Sequence, residues 1–113
     1  MSPPDPAHAE ITPAQLHQWR AETPEAFTLV DCREADEWEV CRIDGARLVP
    51  LSQFAELAPR QLSPKTPIVV YCHHGMRSLR AANWLRQKGF QAWSLAGGIE
   101  AWSVEIDPAV PRY

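Results

Sequence analysis

Short apolar runs alternate with longer polar, amphipathic stretches along this 113-residue chain. "FTLVDCR" (27–33) and "PIVVY" (67–71) have the length and apolar density of buried strands, and "ARLV" (46–49) and "QAWSL" (91–95) read as two more. Between them lie helical patterns. "ITPAQLHQW" (11–19) carries a start signal: Thr12 as cap, Pro13 in the first turn, Gln15 three residues after the cap, and Ile11 placed to staple onto Leu16. The acidic "EADEWE" (34–39) suits a first helical turn. Ser52 is placed to cap a helix through "QFAELA" (53–58), with Pro59 and Pro64 bounding its exit. "MRSLRAANWLRQKG" (76–89) puts Leu79, Ala82 and Leu85 on one side and Gly89 where a helix closes, and "GGIEAW" (97–102) is a glycine turn into a short helix. Strands alternating with helices predict an α/β domain with a mainly parallel central sheet flanked by helices. In such sheets ligands bind outside the carboxyl ends of the strands.

The proline-rich, polar opening "MSPPDPAHAE" reads as a flexible arm over residues 1–10, leaving 11–113 as a single domain. At 45% hydrophobic residues, that length supports one core without metal or disulfide staples. A net charge of −3, from 11 basic and 14 acidic side chains, gives no broad footprint for nucleic acid or anionic membrane and favours a small partner. No stretch resembles a secretory signal or a membrane span, so the expected location is cytoplasmic. Cys32, Cys41 and Cys72 cannot all pair within the chain and form no C-x-x-C, which favours free thiols in a reducing compartment.

Cys72 stands apart from the other two. In "VVYCHHGMRS" (69–78) it falls at a strand end, before a basic, glycine-containing turn and a helix, a setting that can hold a thiolate. A free cysteine has a pKa of about 8.5. Lowering it by two units needs about 2.7 kcal/mol of preference for the anion, against roughly 0.3–1 kcal/mol from a helix N-terminus. The remainder must come from loop N–H groups converging on the sulfur, with Gly75 permitting the turn and Arg77 adding positive charge and a planar fork for an anionic donor. Ser78 is placed either to cap the helix or to serve the site. His73 and His74 read as one imidazole lining a pocket and one facing water. Adjacent residues do not readily converge on one ion, so no metal and no cofactor is expected.

Three stretches together resemble the rhodanese family. "VDCREADEWEVCRIDGA" (30–46) is similar to its Asp-x-Arg-Glu segment, "VVYCHHGMRS" to its active-site loop and "LAGGIEAW" (95–102) to its C-terminal glycine-glycine signature. The resemblance implies a rhodanese-like fold and a thiosulfate sulfurtransferase. Cys72 would take a sulfane sulfur from thiosulfate or a related donor as a persulfide and pass it to cyanide or to a thiol or protein acceptor. His73, His74, Gly75, Met76, Arg77 and Ser78 would form the loop that binds the donor. Asp31, Arg33 and Glu34 match positions expected to be scaffold.

Cys41 and Arg42 depart from the family's Gly-His. Cys41 is therefore either a bystander, the favoured reading, or a resolving thiol near Cys72. Cys32 is most simply a core thiol beside Leu29 and Val30. The five tryptophans read as core or rim. Two other functions compete: a cysteine-based phosphatase or arsenate reductase of the same fold, and a non-catalytic binding or sulfur-relay module. The four residues "HHGM" between Cys72 and Arg77, one fewer than a Cys-x5-Arg loop, and Tyr71 in place of a histidine disfavour the phosphatase. The conjunction of Cys72, Gly75 and Arg77 disfavours a non-catalytic module.

Overall fold

The computed structural model describes residues 3–113; Met1 and Ser2 of the predicted arm lie outside the described residues. Five parallel strands form one sheet: β1 (Glu10–Ile11), β2 (Thr28–Asp31), β3 (Arg47–Leu48), β4 (Ile68–Tyr71) and β5 (Ala92–Leu95), in the spatial order β1-β5-β4-β2-β3. The connecting helices are α1 (Pro13–Glu22), α2 (Ala35–Val40), α3 (Phe54–Gln61), α4 (Met76–Gln87) and α5 (Gly98–Glu105).

Side chains on adjacent strand residues point to opposite faces, and this splits the core in two. Leu29, Val69, Tyr71, Trp93 and Leu95 pack with Leu16 and Trp19 of α1 and Ile99 and Trp102 of α5. Val30, Ile68, Val70 and Ala92 pack on the other face with Phe54 and Ala58 of α3 and Ala81, Ala82 and Leu85 of α4. Both faces are covered, which is why the inner strands read as near-continuous apolar runs. All four residues of β4 are buried. Strand β4 sits centrally, between β2 and β5. The chain steps from β2 out to β3, returns to β4 and continues to β5 on the other side. The loop after β4 therefore opens at a topological switch point.

The capping signal before α1 is fulfilled. Gln15 N–H donates to the Thr12 hydroxyl at 3.1 Å, and Thr12 N–H donates to the Gln15 side chain at 2.8 Å. Two boundaries differ from expectation. Ser52 does not cap a helix but lies in a 3-10 turn (Leu51–Gln53), where its hydroxyl donates to Glu34 at 2.6 Å. Pro59 lies inside α3 rather than beyond it; its missing N–H removes one rung, and the helix ends two residues later at Gln61. The arm is also shorter than its composition suggests. Glu10 belongs to β1, Ser94 N–H donates to the Ala9 carbonyl at 2.8 Å, and the Trp93 indole N–H finds the Asp5 carbonyl at 3.1 Å. A largely buried indole needs such a partner, and the arm supplies it.

One close approach fixes the loop after β4. Gly98 has φ +62°, and a Cβ built there would lie 2.4 Å from the His73 carbonyl oxygen and 2.5 Å from that of Cys72. Gly89, with φ +92°, has nothing within 4 Å of the same construction. Gly98→Ala is expected to cost about 2–4 kcal/mol, overpacking added to left-handed strain, against about 1–2 kcal/mol for Gly89→Ala, strain alone. Urea unfolding of the two variants checks the difference.

Candidate active site

The site is built at the carboxyl ends of β2, β4 and β5. Strand β4 ends at Tyr71 and delivers Cys72 onto the α3/α4 face, 1% exposed. The chain then turns through His73 and His74 to Gly75, whose φ of +103° only glycine adopts without strain, and α4 begins at Met76. That turn brings the Gly75 N–H to 3.1 Å and the Ser78 N–H to 3.3 Å from the Cys72 sulfur, with the Ser78 hydroxyl at 3.4 Å. Ser78 is itself held by Ser94 at 2.7 Å and by the Gly75 carbonyl at 3.2 Å. It is a buried member of the site as well as part of the first helical turn.

Cys32 is the sequence expectation that changes most. It is fully buried, as a core thiol would be, but it follows β2 as Cys72 follows β4, in register with it and in the same α3/α4 side of the core. The Cys32 thiol as proton donor, followed by the Ser78 hydroxyl and the Ser78 and Gly75 N–H groups, overcomes burial and lowers the Cys72 pKa to about 4. The same contact, with burial and the adjacent negative charge, pushes the Cys32 thiol up. Cys41 lies elsewhere. It packs in the core on the α1/α5 side of the sheet, with its sulfur 3.9 Å from Arg33 Nη1 and its carbonyl accepting from Arg33 Nη2 at 2.6 Å. The sheet separates it from the Cys72 side, so a resolving role near Cys72 is not available to it.

Arg77 takes a different post from the one expected. Its guanidinium makes a forked pair with Glu37 of α2, Nη1 to Oε1 at 2.7 Å and Nη2 to Oε2 at 2.8 Å, and makes no hydrogen bond to the thiolate. Glu37 is held down at about 2 by that pair and raises Arg77 in turn. Tyr113 completes the cluster: its hydroxyl donates to Glu37 Oε2 at 2.8 Å and accepts from Arg33 Nη1 at 2.7 Å. Its ring stacks on His73 with centroids 3.9 Å apart and planes 8° apart. His74 stacks on His73 as well, centroids 3.9 Å apart. His73 is half-buried against Tyr113 and His74, and His74 and Met76 are exposed. Burial and the neighbouring His74 lower the His73 pKa.

Asp31 and Arg33 form a fully buried ion pair at 2.7 Å beneath this cluster. Glu34 flanks α2 and accepts from Ser52. These three positions are framework. Sequence reasoning missed Glu37 and Tyr113 as neighbours of the loop. Glu37 read only as one acid in a helix start, and nothing local to Tyr113 signals its contact with residues 76 and 80 positions earlier. Cys32 carried a readable signal: "TLVDC" and "IVVYC" are two four-residue strands, each followed by cysteine. Pairing them in register places the thiols side by side.

Comparison with known proteins agrees with this construction. The family model described as a rhodanese-like domain matches residues 12–105. A rhodanese-like/PpiC domain-containing protein of Arabidopsis thaliana is 39% identical over 89 residues, covering 75% of this chain and 30% of its own length. The thiosulfate sulfurtransferase GlpE of Coxiella burnetii is 30% identical, covering 79% of this chain and 83% of its own. The first curated relatives are longer proteins, of which the match spans 24 to 30%. Among solved structures, a rhodanese-related protein from Thermoplasma volcanium superposes with a TM-score of 0.80 at 29% identity, covering 94% of this chain and all of that one. The family match spans the Cys72 loop and the glycine signature at Gly97 and Gly98, and the chain belongs to the rhodanese-like domain family.

Proposed function

We propose that this domain is a sulfurtransferase that carries sulfane sulfur as a Cys72 persulfide, with thiosulfate or a related small donor as substrate and cyanide or a thiol as acceptor. One observation carries the reading: a sulfur at a strand end on which two backbone N–H groups converge, with the Ser78 hydroxyl beside it and the pKa depressed to about 4. The sulfurtransferase relatives support it.

The steps follow from that geometry. The Cys72 thiolate attacks the outer sulfur of thiosulfate; the S–S bond of the donor breaks and sulfite leaves with its electron pair. The Cys72 persulfide remains, its outer sulfur anionic. An acceptor then attacks that outer sulfur, and the electron pair of the persulfide bond returns to Cys72 as thiolate. Donors aimed at the sulfur favour the anion in both resting and leaving roles and need no rearrangement during transfer. Gly75, Ser78 and Cys32 supply these donors, while His73, His74, Met76 and Arg77 border the approach.

Arg77 differs from a free anion clamp because two of its N–H groups already serve Glu37. Its remaining N–H groups and its charge act on the incoming donor, whereas the thiolate is held by groups closer to it. The four-residue loop between Cys72 and Arg77 suits one transferred sulfur atom better than a phosphoryl group with its three equatorial oxygens.

Three measurements test this reading. Titration of the ultraviolet thiolate absorbance, taken as wild type minus Cys72→Ser, should show a midpoint near about 4. The depressed value means that the anion persists at all higher pH and is lost only as pH falls through that midpoint; a midpoint near 8.5, that of a free cysteine, would refute the site's polarity. Arg77→Lys should leave that midpoint in place and raise the KM for thiosulfate several-fold, because the planar fork is lost while the charge remains. Cys72→Ser should remain folded and lose thiosulfate:cyanide transfer, and the native chain should show no aryl-phosphate hydrolysis. Phosphate hydrolysis abolished by Cys72→Ser would place the domain with the cysteine phosphatases instead.

A further inference from the structure

The transfer reaction uses Cys32 only as a neighbour, yet its position is that of a reactive partner. Asp31 and Tyr71 pair in register, and the Cys32 N–H donates to the Tyr71 carbonyl at 3.0 Å, so the parallel pairing of β2 and β4 reaches residues 32 and 72. Val30 and Cys32 on one strand, and Val70 and Cys72 on the other, all point into the α3/α4 side of the core. Neighbouring strands run about 4.8 Å apart. That spacing falls within the Cα separation of roughly 4.4–6.8 Å that a disulfide spans. Both residues are buried, at 0% and 1% exposed.

We propose that Cys32 is a resolving thiol, which displaces the outer sulfur of a Cys72 persulfide as hydrosulfide and closes a Cys32–Cys72 disulfide. The domain would then have a second, sulfide-releasing outcome beside transfer to an external acceptor. This rests on the persulfide reading of Cys72. In the step, the Cys32 S–H loses its proton and its sulfur bonds to Cys72 Sγ. The bond between Sγ and the outer sulfur breaks, and the electron pair and a proton leave with that outer sulfur. The sulfane sulfur is reduced to sulfide, and the two thiols supply the two electrons. An external dithiol, by two exchanges, returns the pair to its reduced form.

Which sulfur of a persulfide is attacked depends on access. Cys32 approaches from the neighbouring strand and meets the inner sulfur, while the Gly75 and Ser78 N–H groups approach from the loop. In the resting site the Cys72 anion keeps Cys32 protonated and unreactive. Persulfide formation moves the negative charge outward to the second sulfur and relaxes that restraint. The resolving step thus becomes available only after sulfur is loaded, and it competes with the external acceptor.

A single-turnover experiment on the reduced full chain, treated with thiosulfate without cyanide or added thiol, tests the step. Intact mass should show one added sulfur atom first. That species should then decay to one two hydrogens lighter than the reduced protein, with about one equivalent of free sulfide. Peptide mapping should find Cys32 joined to Cys72. Cys32→Ala and the more conservative Cys32→Ser, which also lose the thiol donor to the Cys72 thiolate and so load sulfur more slowly, should hold the persulfide they form and release at least tenfold less sulfide per persulfide. A wild-type persulfide as long-lived as that of the variants, or a disulfide through Cys41, would overturn the proposal. The cross-link is read on the unmodified chain, so the result does not depend on the variants folding. Failure of the persulfide reading itself looks different: no chain then gains sulfur, and the resolving step falls with it.

Discussion

The N–H of Ile99 donates to the carbonyl of Cys72 at 2.8 Å, and that of Glu100 to the carbonyl of His73 at 3.1 Å; the rest of the site depends on this pair of bonds. The first turn of a helix has N–H groups without intrahelical partners. Here α5 gives two of its own to the start of the loop after β4, and Gly98 allows the backbones to meet. Because peptides are planar, fixing those two carbonyls fixes two successive peptide planes. The chain then reverses at Gly75 and brings the next N–H groups onto the sulfur. A glycine signature 25 residues away in sequence, at Gly97 and Gly98, is thereby part of the anion site at Cys72.

Local dipoles, rather than a facing cation, set the polarity at Cys72. The nearby guanidinium groups are already committed, Arg77 to Glu37 and Arg33 to Asp31, Cys41 and Tyr113. Buried ion pairs contribute little net stability, yet losing one partner leaves a costly buried charge. Arg33, with no exposure, therefore serves to lock the end of α2, at the Cys41 carbonyl, and the Tyr113 hydroxyl in place. Glu37 is positioned at the same junction, where it restrains Arg77.

The fold was legible because its signals are local and mutually consistent. The Thr12–Gln15 capping box, the all-buried "IVVY" strand and the glycines before α4 and α5 each state their own conformation. Cys72, Gly75 and Ser78 were legible as a site because they lie within seven consecutive residues at a strand-to-helix turn. The contacts of Glu37 and Tyr113 were not, since each depends on where two distant segments dock, and that of Cys32 becomes legible only once β2 and β4 are paired in register. Periodicity cannot report that. The role of Arg77 was half legible: its place at the loop was right, but its partner belongs to α2. Ser52 was misplaced because a 3-10 turn precedes α3, and Pro59 because the short helix tolerates it at the loss of one rung.

Both outer strands of the sheet, β1 and β3, are two residues long. Unpaired strand edges are templates for joining other chains, and shortness is one way proteins blunt them. A sheet closed off in this way can stand beside other folded units on one polypeptide with little tendency to exchange strands with them. That suits a unit whose relatives include proteins three to four times its matched length. On the proposed reading, the carboxyl end of the sheet, where Cys72 lies, is the face that such neighbours must leave accessible.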